Sequence, residues 1–261
     1  MIIQSVDRAA DIISLFSSSQ IFLGITEIAS ALKLNKGTVW GLVTTLEKRR
    51  FLQQDPVTRK YSVGPKIFEL GMVYLSHVEI NSKASRPLHS LASRTELNGR
   101  VGIWESDAAL ITLLALPRSE DSLSHQIGPR VPAYCSGVGK ALLAHLEAEQ
   151  IEDYLRRVDL VRHTHSTITS RDKLREDLDN TRERGYSIGR EEMIPGVAAL
   201  GAPIFDRKYQ LAGAISISQS PEVVLGRNMK KLAAELLQTS FQISREMGCY
   251  LNAGGPKRGK R

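Results

Sequence analysis

A chain of 261 residues with 42 % hydrophobic and 24 % charged side chains is long enough for about two domains and too apolar for a disordered polypeptide. Its two cysteines make neither a disulfide framework nor a metal-ligand spacing, and no apolar run reaches membrane-spanning length. The net charge of +7 is uneven: residues 1–85 hold ten Lys/Arg against seven Asp/Glu, residues 86–256 hold 21 of each, and the last five residues carry four positive charges. Nucleic-acid affinity therefore belongs to the N-terminal part, with the tail as a possible second contributor. No charged-then-apolar leader opens the sequence, so the cytoplasm is the expected compartment.

In chain order, Ser5 is placed to cap a helix whose apolar face is Val6, Ala9, Ile12, Ile13 and Phe16. Residues 25–32 predict a second helix capped by Thr26, and Asn35 caps a third that runs from about Lys36 to Arg49. In that third helix Val39, Leu42, Val43 and Leu46 follow helical spacing and form one apolar stripe. The opposite face is Gly37, Gly41, Thr44, Thr45 and Lys48. Each glycine costs roughly 1 kcal/mol against Ala in a helix interior, a cost that close approach of the backbone to a bulky partner would justify. The pair reads as a helix-turn-helix, whose second helix enters a DNA major groove. Trp40 flanks the stripe, suited either to a thymine methyl or to packing.

Two short alternating segments follow, 51–54 and 61–63, joined by a turn with Pro and Asp chemistry and with Arg59 and Lys60 at its exit. This is the profile of a β-wing whose tip rests on phosphates, with Lys48, Arg49 and Arg50 on the same basic edge. The candidate DNA contacts are Thr26, Asn35, Lys36, Gly37, Thr38, Trp40, Gly41, Thr44, Thr45, Lys48, Arg59 and Lys60. Residues 65–85 predict a linker helix with Ile67, Phe68, Leu70, Met72, Val73 and Leu75 crowded around it, and Arg86-Pro87 marks its end or the start of the next element. So broad an apolar surface suits a buried or intersubunit element.

Residues 86–251 mix strands (101–105, 109–116, 200–205, 211–218) with helices (87–95, 138–146, 151–158, 171–184, 221–246). Strand pairs with helices in blocks predict an antiparallel sheet with flanking helices, hence an α+β chain overall. Residues 252–261 predict a disordered basic tail. Alternation puts Ile215 and Ile217 on one strand face and Ala214, Ser216 and Ser218 on the other. A face of small residues and hydroxyls leaves space lined with neutral donors, suited to a small carboxylate. Ser136-Gly137-Val138-Gly139 leads into a helix whose first N–H groups favour anions.

Four sharper-looking signals fail. Gly137-Val138-Gly139-Lys140-Ala141 lacks the Gly and the Ser/Thr of a phosphate-binding loop. His163 and His165 have no partner at ligand spacing and read as surface residues. Cys135 reads as a small buried hydrophobe, and Glu191 and Glu192 would point to opposite sides of a strand. No catalytic residue, metal ligand or cofactor is nominated.

Taken together, the motifs resemble the IclR family of bacterial transcriptional regulators, nearly end to end. Ser5-Val6-Asp7-Arg8-Ala9, Glu27-Ile28-Ala29, Lys36-Gly37-Thr38-Val39, Thr45-Leu46 and Tyr61-Ser62-Val63-Gly64 carry it in the first part. Gly139-Lys140-Ala141-Leu142-Leu143-Ala144, Arg182-Glu183-Arg184-Gly185-Tyr186, Glu191-Glu192, Gly196-Val197 and Ala202-Pro203-Ile204-Phe205-Asp206 carry it in the second. The resemblance implies a winged helix-turn-helix over 1–64, a linker helix over 65–85 and a GAF-like effector-binding domain over 86–251. It also implies a homodimer or homotetramer on a double-stranded operator, no membrane association, and no enzymatic activity. Effector contacts implied by the family are Ser136, Gly137, Val138, Gly139, Ser216 and Ser218 together with Val197, Ala199 and Leu200. This chain departs from the family at Gly37 (usually Ser), Trp40 (His or Tyr), Gly41 (Arg), Ala199 (often Cys) and Gly189 (acidic in some members). The rival readings are a hydrolase or metal-dependent enzyme on the C-terminal domain, and a ligand sensor acting through protein partners. Sequence-specific DNA binding that responds to a small molecule separates the first reading from both.

Overall fold

The computed structural model describes residues 1–117 and 129–250, and the chain divides into two compact units that part between His77 and Val78. The predicted basic tail lies outside the described residues. In the first unit, helices α1 (Gln4–Ser14), α2 (Ile25–Leu32) and α3 (Lys36–Lys48) are followed by strands β1 (Leu52–Gln54) and β2 (Tyr61–Val63) and helix α4 (Pro65–His77). One core joins them: Ile12 of α1, Ile28 of α2, and Val39, Val43 and Leu46 of α3 meet Leu52 and Tyr61 of the wing. Leu23 adds a rung that the sequence did not suggest, exchanging backbone hydrogen bonds with Tyr61 at 2.9 and 2.8 Å. The wing is thus tied to the segment ahead of α2, which fixes its angle to the helix pair.

Two predicted caps are corrected. Helix α1 starts after Ile3 with no side-chain cap, so Ser5 lies inside its first turn. Helix α2 is capped by Gly24, whose N–H donates to Glu27 Oε2 at 2.6 Å, and Thr26 is an exposed residue of the first turn. A carboxylate three residues into a helix reaches back more effectively than a hydroxyl already inside it. Asn35 does cap α3, accepting from the Thr38 N–H at 2.7 Å.

The linker prediction is also corrected. The helix breaks at Val78, and α5 (Glu79–Thr95) carries Pro87 in its interior rather than ending there. Proline forfeits one helical hydrogen bond, but Pro87 and Leu88 are buried, and packing outweighs that local loss.

The second unit is built on a six-stranded antiparallel sheet of β3 (Asn98–Glu105), β4 (Ala108–Ala115), β5 (Arg130–Pro132), β6 (Ser187–Arg190), β7 (Ala198–Phe205) and β8 (Leu211–Gln219), in the order β5-β4-β3-β8-β7-β6. The short β5 and β6 were not predicted; three or four residues give too little alternation to read. Among the described residues six α-helices complete the unit: α5, then α6 (Gly137–Leu143), α7 (Ala148–Arg157), α8 (Arg171–Arg184), α9 (Pro221–Val224) and α10 (Met229–Glu246). The predicted helix 221–246 is therefore two, interrupted at residues 225–228.

Each sheet face has its own core. Helices α5 and α10 cover one, burying Leu88, Leu91, Leu236 and Ile243 against Val101, Leu200, Ala202, Ile215 and Ile217. Helix α6 covers the other through Val138, Ala141 and Leu142, packed with Ala109, Val131 and Ala214. Its approach is close: a Cβ on Gly201 would stand 2.3 Å from the Gly137 carbonyl oxygen, and one on Gly137 would stand 2.8 Å from Ala199 Cβ. Glycine at both positions lets the helix N-terminus sit directly on the sheet.

Candidate nucleic-acid interface and ligand pocket

Helix α3 hides Val39, Val43 and Leu46 and leaves Lys36, Gly37, Trp40, Gly41, Thr45 and Lys48 exposed, with Thr38, Leu42 and Thr44 in between. Trp40 is 59 % exposed, so more than half of its surface is open to a partner. A Cβ at Gly41 would meet nothing within 4 Å, so the chain itself gives no steric reason for glycine there. Thr45 Oγ1 donates back to the Gly41 carbonyl at 2.8 Å, leaving mainly its methyl group for the outer face. Trp40, Lys36 and Lys48 reach outward, with Thr44 half-buried beside them.

The wing turn is held by Asp55, whose Oδ1 accepts from the Val57 and Thr58 N–H groups and from the Thr58 hydroxyl. Those contacts, Thr58 foremost, hold its carboxyl below the usual range. Arg59, with a left-handed φ of 61°, is exposed at the tip. Lys60 is not free: Nζ pairs with Glu27 Oε1 at 2.9 Å. Arg50 likewise pairs with Glu69 of α4 at 3.3 Å. Such exposed pairs are weak and exchange readily for phosphate, but the basic edge carries less uncommitted charge than the sequence suggested.

In the second unit, a cavity of about 50 Å³, partly open to solvent, lies where α6 meets the sheet. Of the nine predicted effector residues, Ser136, Gly137, Val138, Val197, Ala199, Ser216 and Ser218 line it. Gly139 and Leu200 do not. Gly139 packs under the turn, where a Cβ would stand 2.5 Å from Ala133 Cα, and its N–H donates to Ser136 Oγ at 3.1 Å. Leu200 pairs across the sheet with Ile217 and faces the α5/α10 core; its neighbours Ala199 and Gly201 face the other way. Ser136 Oγ is itself committed, donating to the Pro132 carbonyl at 2.8 Å. Ser216 and Ser218 are 3 % and 4 % exposed, so neither faces solvent.

Three polar features of this region were not read from the sequence. Arg100 of β3 stands opposite Ser216 in the β3–β8 register and lines the same pocket. Its Nη1 donates to Ser218 Oγ at 2.7 Å, and burial pulls the guanidinium down to about 10, still cationic at neutral pH. The pocket wall is therefore not built only of neutral donors. Glu192 lies beyond the end of β6, not on a strand with Glu191, which has a left-handed φ of 54°. Its side chain is buried and lines the pocket. Lys140 is fully buried, with Nζ 2.7 Å from Glu192 Oε1 and 2.8 Å from Asp177 Oδ2. The lysine set aside as a phosphate-loop remnant is the cation of an internal ion triad. The available signal for Arg100 was a lone charge alternating with Gly102 and Trp104, out of phase with Val101 and Ile103.

Cys135 also lines the pocket; burial, ahead of nearby Glu192, pushes its thiol up to about 12, which leaves it a poor nucleophile. His163 is exposed and hydrogen-bonded to the Tyr134 hydroxyl at 2.9 Å. Among the described residues no helix is long and apolar enough to cross a membrane.

Two family models match the chain, the IclR helix-turn-helix domain over residues 5–56 and the bacterial transcriptional regulator IclR C-terminal domain over residues 72–245. The HTH-type transcriptional regulator XynR of Escherichia coli K12 is 30 % identical over 255 residues, covering 95 % of this chain and 98 % of that one. Among solved structures, an IclR transcriptional regulator from Alicyclobacillus acidocaldarius superposes with a TM-score of 0.82 at 25 % identity, covering 95 % of this chain and all of that one. An IclR homologue from Microbacterium hydrocarbonoxydans, solved in complex with 4-hydroxybenzoate, has a TM-score of 0.80 at 18 % identity, covering 93 % of this chain and 98 % of that one. The winged helix pair with its exposed glycine face, the six-stranded sheet with its pocket, and these likenesses agree: the chain belongs to the IclR family of DNA-binding bacterial transcriptional regulators.

Proposed function

We propose that this regulator is switched by a small organic acid held in the α6–sheet pocket, and that α3 and the wing read its operator in the cytoplasm. The observation that carries the effector reading is the pairing of a helix N-terminus with two buried serines on one partly open pocket. Dipole and hydroxyls both favour an anion there. The 4-hydroxybenzoate complex of the Microbacterium homologue supports the same ligand class. The working unit is a homodimer or homotetramer; no residue of α4 is buried within the chain, and Phe68, Met72 and Val73 are exposed, as suits a helix covered by a second copy. Residues 1–64 read DNA, residues 65–85 pass the signal and residues 86–251 hold the effector.

The test is footprinting upstream of the regulator's own gene, with candidate carboxylates added one at a time. A protected site whose occupancy no acid alters would remove the effector half of the proposal. The Ser216→Ala, Ser218→Ala double variant should bind its acid more weakly by about 1–3 kcal/mol, the range for a lost hydrogen bond to a charged group. Its operator affinity without acid should stay at the wild-type level. Calorimetry showing wild-type acid affinity in this variant would move the pocket elsewhere.

The wing makes its own prediction. Arg59→Ala with Lys60→Ala should lower the log–log salt slope of operator binding by about 1–2, since each neutralised phosphate contributes roughly 0.9. Operator preference should survive. Salt titrations with an unchanged slope would place the wing off the phosphate backbone.

A further inference from the structure

Arg100 is a buried cation whose partners do not balance it. Its side chain sits in the middle of the sheet at 6 % exposure, and among the described residues its only hydrogen bond goes to Ser218. Among the described residues no carboxylate pairs with it, and burial pulls its guanidinium down. A buried, unpaired charge is among the costliest features a core can hold, and such groups are ordinarily paired or removed. This one lines a pocket.

The carboxylate on the same pocket is turned to other work. Glu192 Oε1 accepts from Lys140 Nζ at 2.7 Å and from the Arg190 N–H at 3.1 Å. Its other oxygen, Oε2, is buried and has no hydrogen-bond partner among the described residues. One cavity thus holds two incomplete groups of opposite kind, a guanidinium with unused donors and a carboxylate oxygen with an unused acceptor. The same pocket is also lined by the apolar Ile111, Val131, Val138 and Met193.

Building on the effector-pocket reading, we propose that the pocket selects a monocarboxylic acid that also bears a hydroxyl, its carboxylate on Arg100 and Ser218 and its hydroxyl donating to Glu192 Oε2. A carboxylate on a guanidinium makes the strong, charge-assisted kind of hydrogen bond. A second carboxylate in place of the hydroxyl would meet Glu192 and be repelled, so dicarboxylates are excluded. Arg100 is the residue that decides acid against amide, and Glu192 decides hydroxy acid against plain acid.

The test uses calorimetry on the full chain with lactate, 3-hydroxybutyrate and 4-hydroxyphenylacetate, three spans of the same chemistry. Each is compared with its deoxy acid and its primary amide. At least one hydroxy acid should bind; its deoxy form should bind about tenfold more weakly and its amide at least about 100-fold more weakly. Arg100→Met, close in volume and neutral, should lose the acid to at least the same extent as the amide does. Its melting temperature without ligand should hold or rise, because an unpaired buried charge has been removed. An acid bound equally well by Arg100→Met, or an amide bound as tightly as its acid by wild type, would overturn the role of Arg100 while leaving the effector pocket standing. A melting temperature that falls sharply in Arg100→Met would make the guanidinium a structural group and also overturn it. Failure of every acid on wild-type protein would bring down the pocket reading itself, and this inference with it.

Discussion

Gly41→Leu is expected to destroy operator recognition while making the N-terminal unit more stable. The outer face of α3 is open at this position, with nothing within 4 Å of a built Cβ, so the new side chain meets no part of the chain. Leu is the better helix former by somewhat less than the ~0.8–1 kcal/mol that separates Gly from Ala, and calorimetric unfolding of this unit should shift upward accordingly. In a major groove, the same side chain would hold the helix backbone away from the base edges. Affinity should then fall to the non-specific level, on the order of 1,000-fold or more. Gly41→Ala should lie between, since a methyl group is still compatible with close approach. A Gly41→Leu protein that footprints the wild-type operator at wild-type concentration would take this face of α3 out of the groove.

The second large effect is internal. Lys140→Met removes the cation from a triad in which Glu192 is 4 % exposed and Lys140 fully buried, and Asp177 loses its 2.8 Å partner as well. Breaking a buried ion pair from one side leaves an uncompensated charge and costs about 3–5 kcal/mol. The two tryptophans fall one in each unit, Trp40 in the first and Trp104 in the second. In a Trp40→Phe background, urea unfolding followed by Trp104 fluorescence reports the C-terminal unit alone. The companion variant Lys140→Met with Glu192→Gln and Asp177→Asn removes all three charges and should recover a large part of the loss. A single variant within about 1 kcal/mol of wild type would show that other groups, Arg184 at 3.6 Å from Asp177 among them, balance these carboxylates.

Much of the DNA-reading unit was legible because its signals are local. The α3 stripe, the Asn35 cap, the Asp55–Arg59 turn and the two wing strands each depend on neighbours within a few residues. The two caps that failed, at Ser5 and Thr26, failed on short-range competition that a pattern of residue types does not resolve. Glu27 reaching Lys60 over 33 positions in the sequence has no local signature at all.

The pocket was half legible for a related reason. Alternation along β8 assigns Ser216 and Ser218 to one face, and it does so without knowledge of the partner strand. Alternation along β7 would have excluded Leu200 on the same logic, but that position was carried over from family resemblance, and the register places it against Ile217 on the far side. Arg100 is different. Its meaning depends on which strand lies beside β3, and only the antiparallel pairing that sets Arg100 across from Ser216 brings it to the cavity. Glu192 and Lys140 are 52 positions apart and meet only because the N-terminus of α6 rests on Gly201.

What the sequence by itself determined, then, was the order of most elements, the exposed face of α3, and the small-residue face of β8, because periodicity and capping are encoded in adjacent residues. The tertiary structure alone decided where the charges end up. A buried charge is fixed by what surrounds it in space, through desolvation and the few partners within hydrogen-bond reach, and those partners come from strands and helices far apart in the chain.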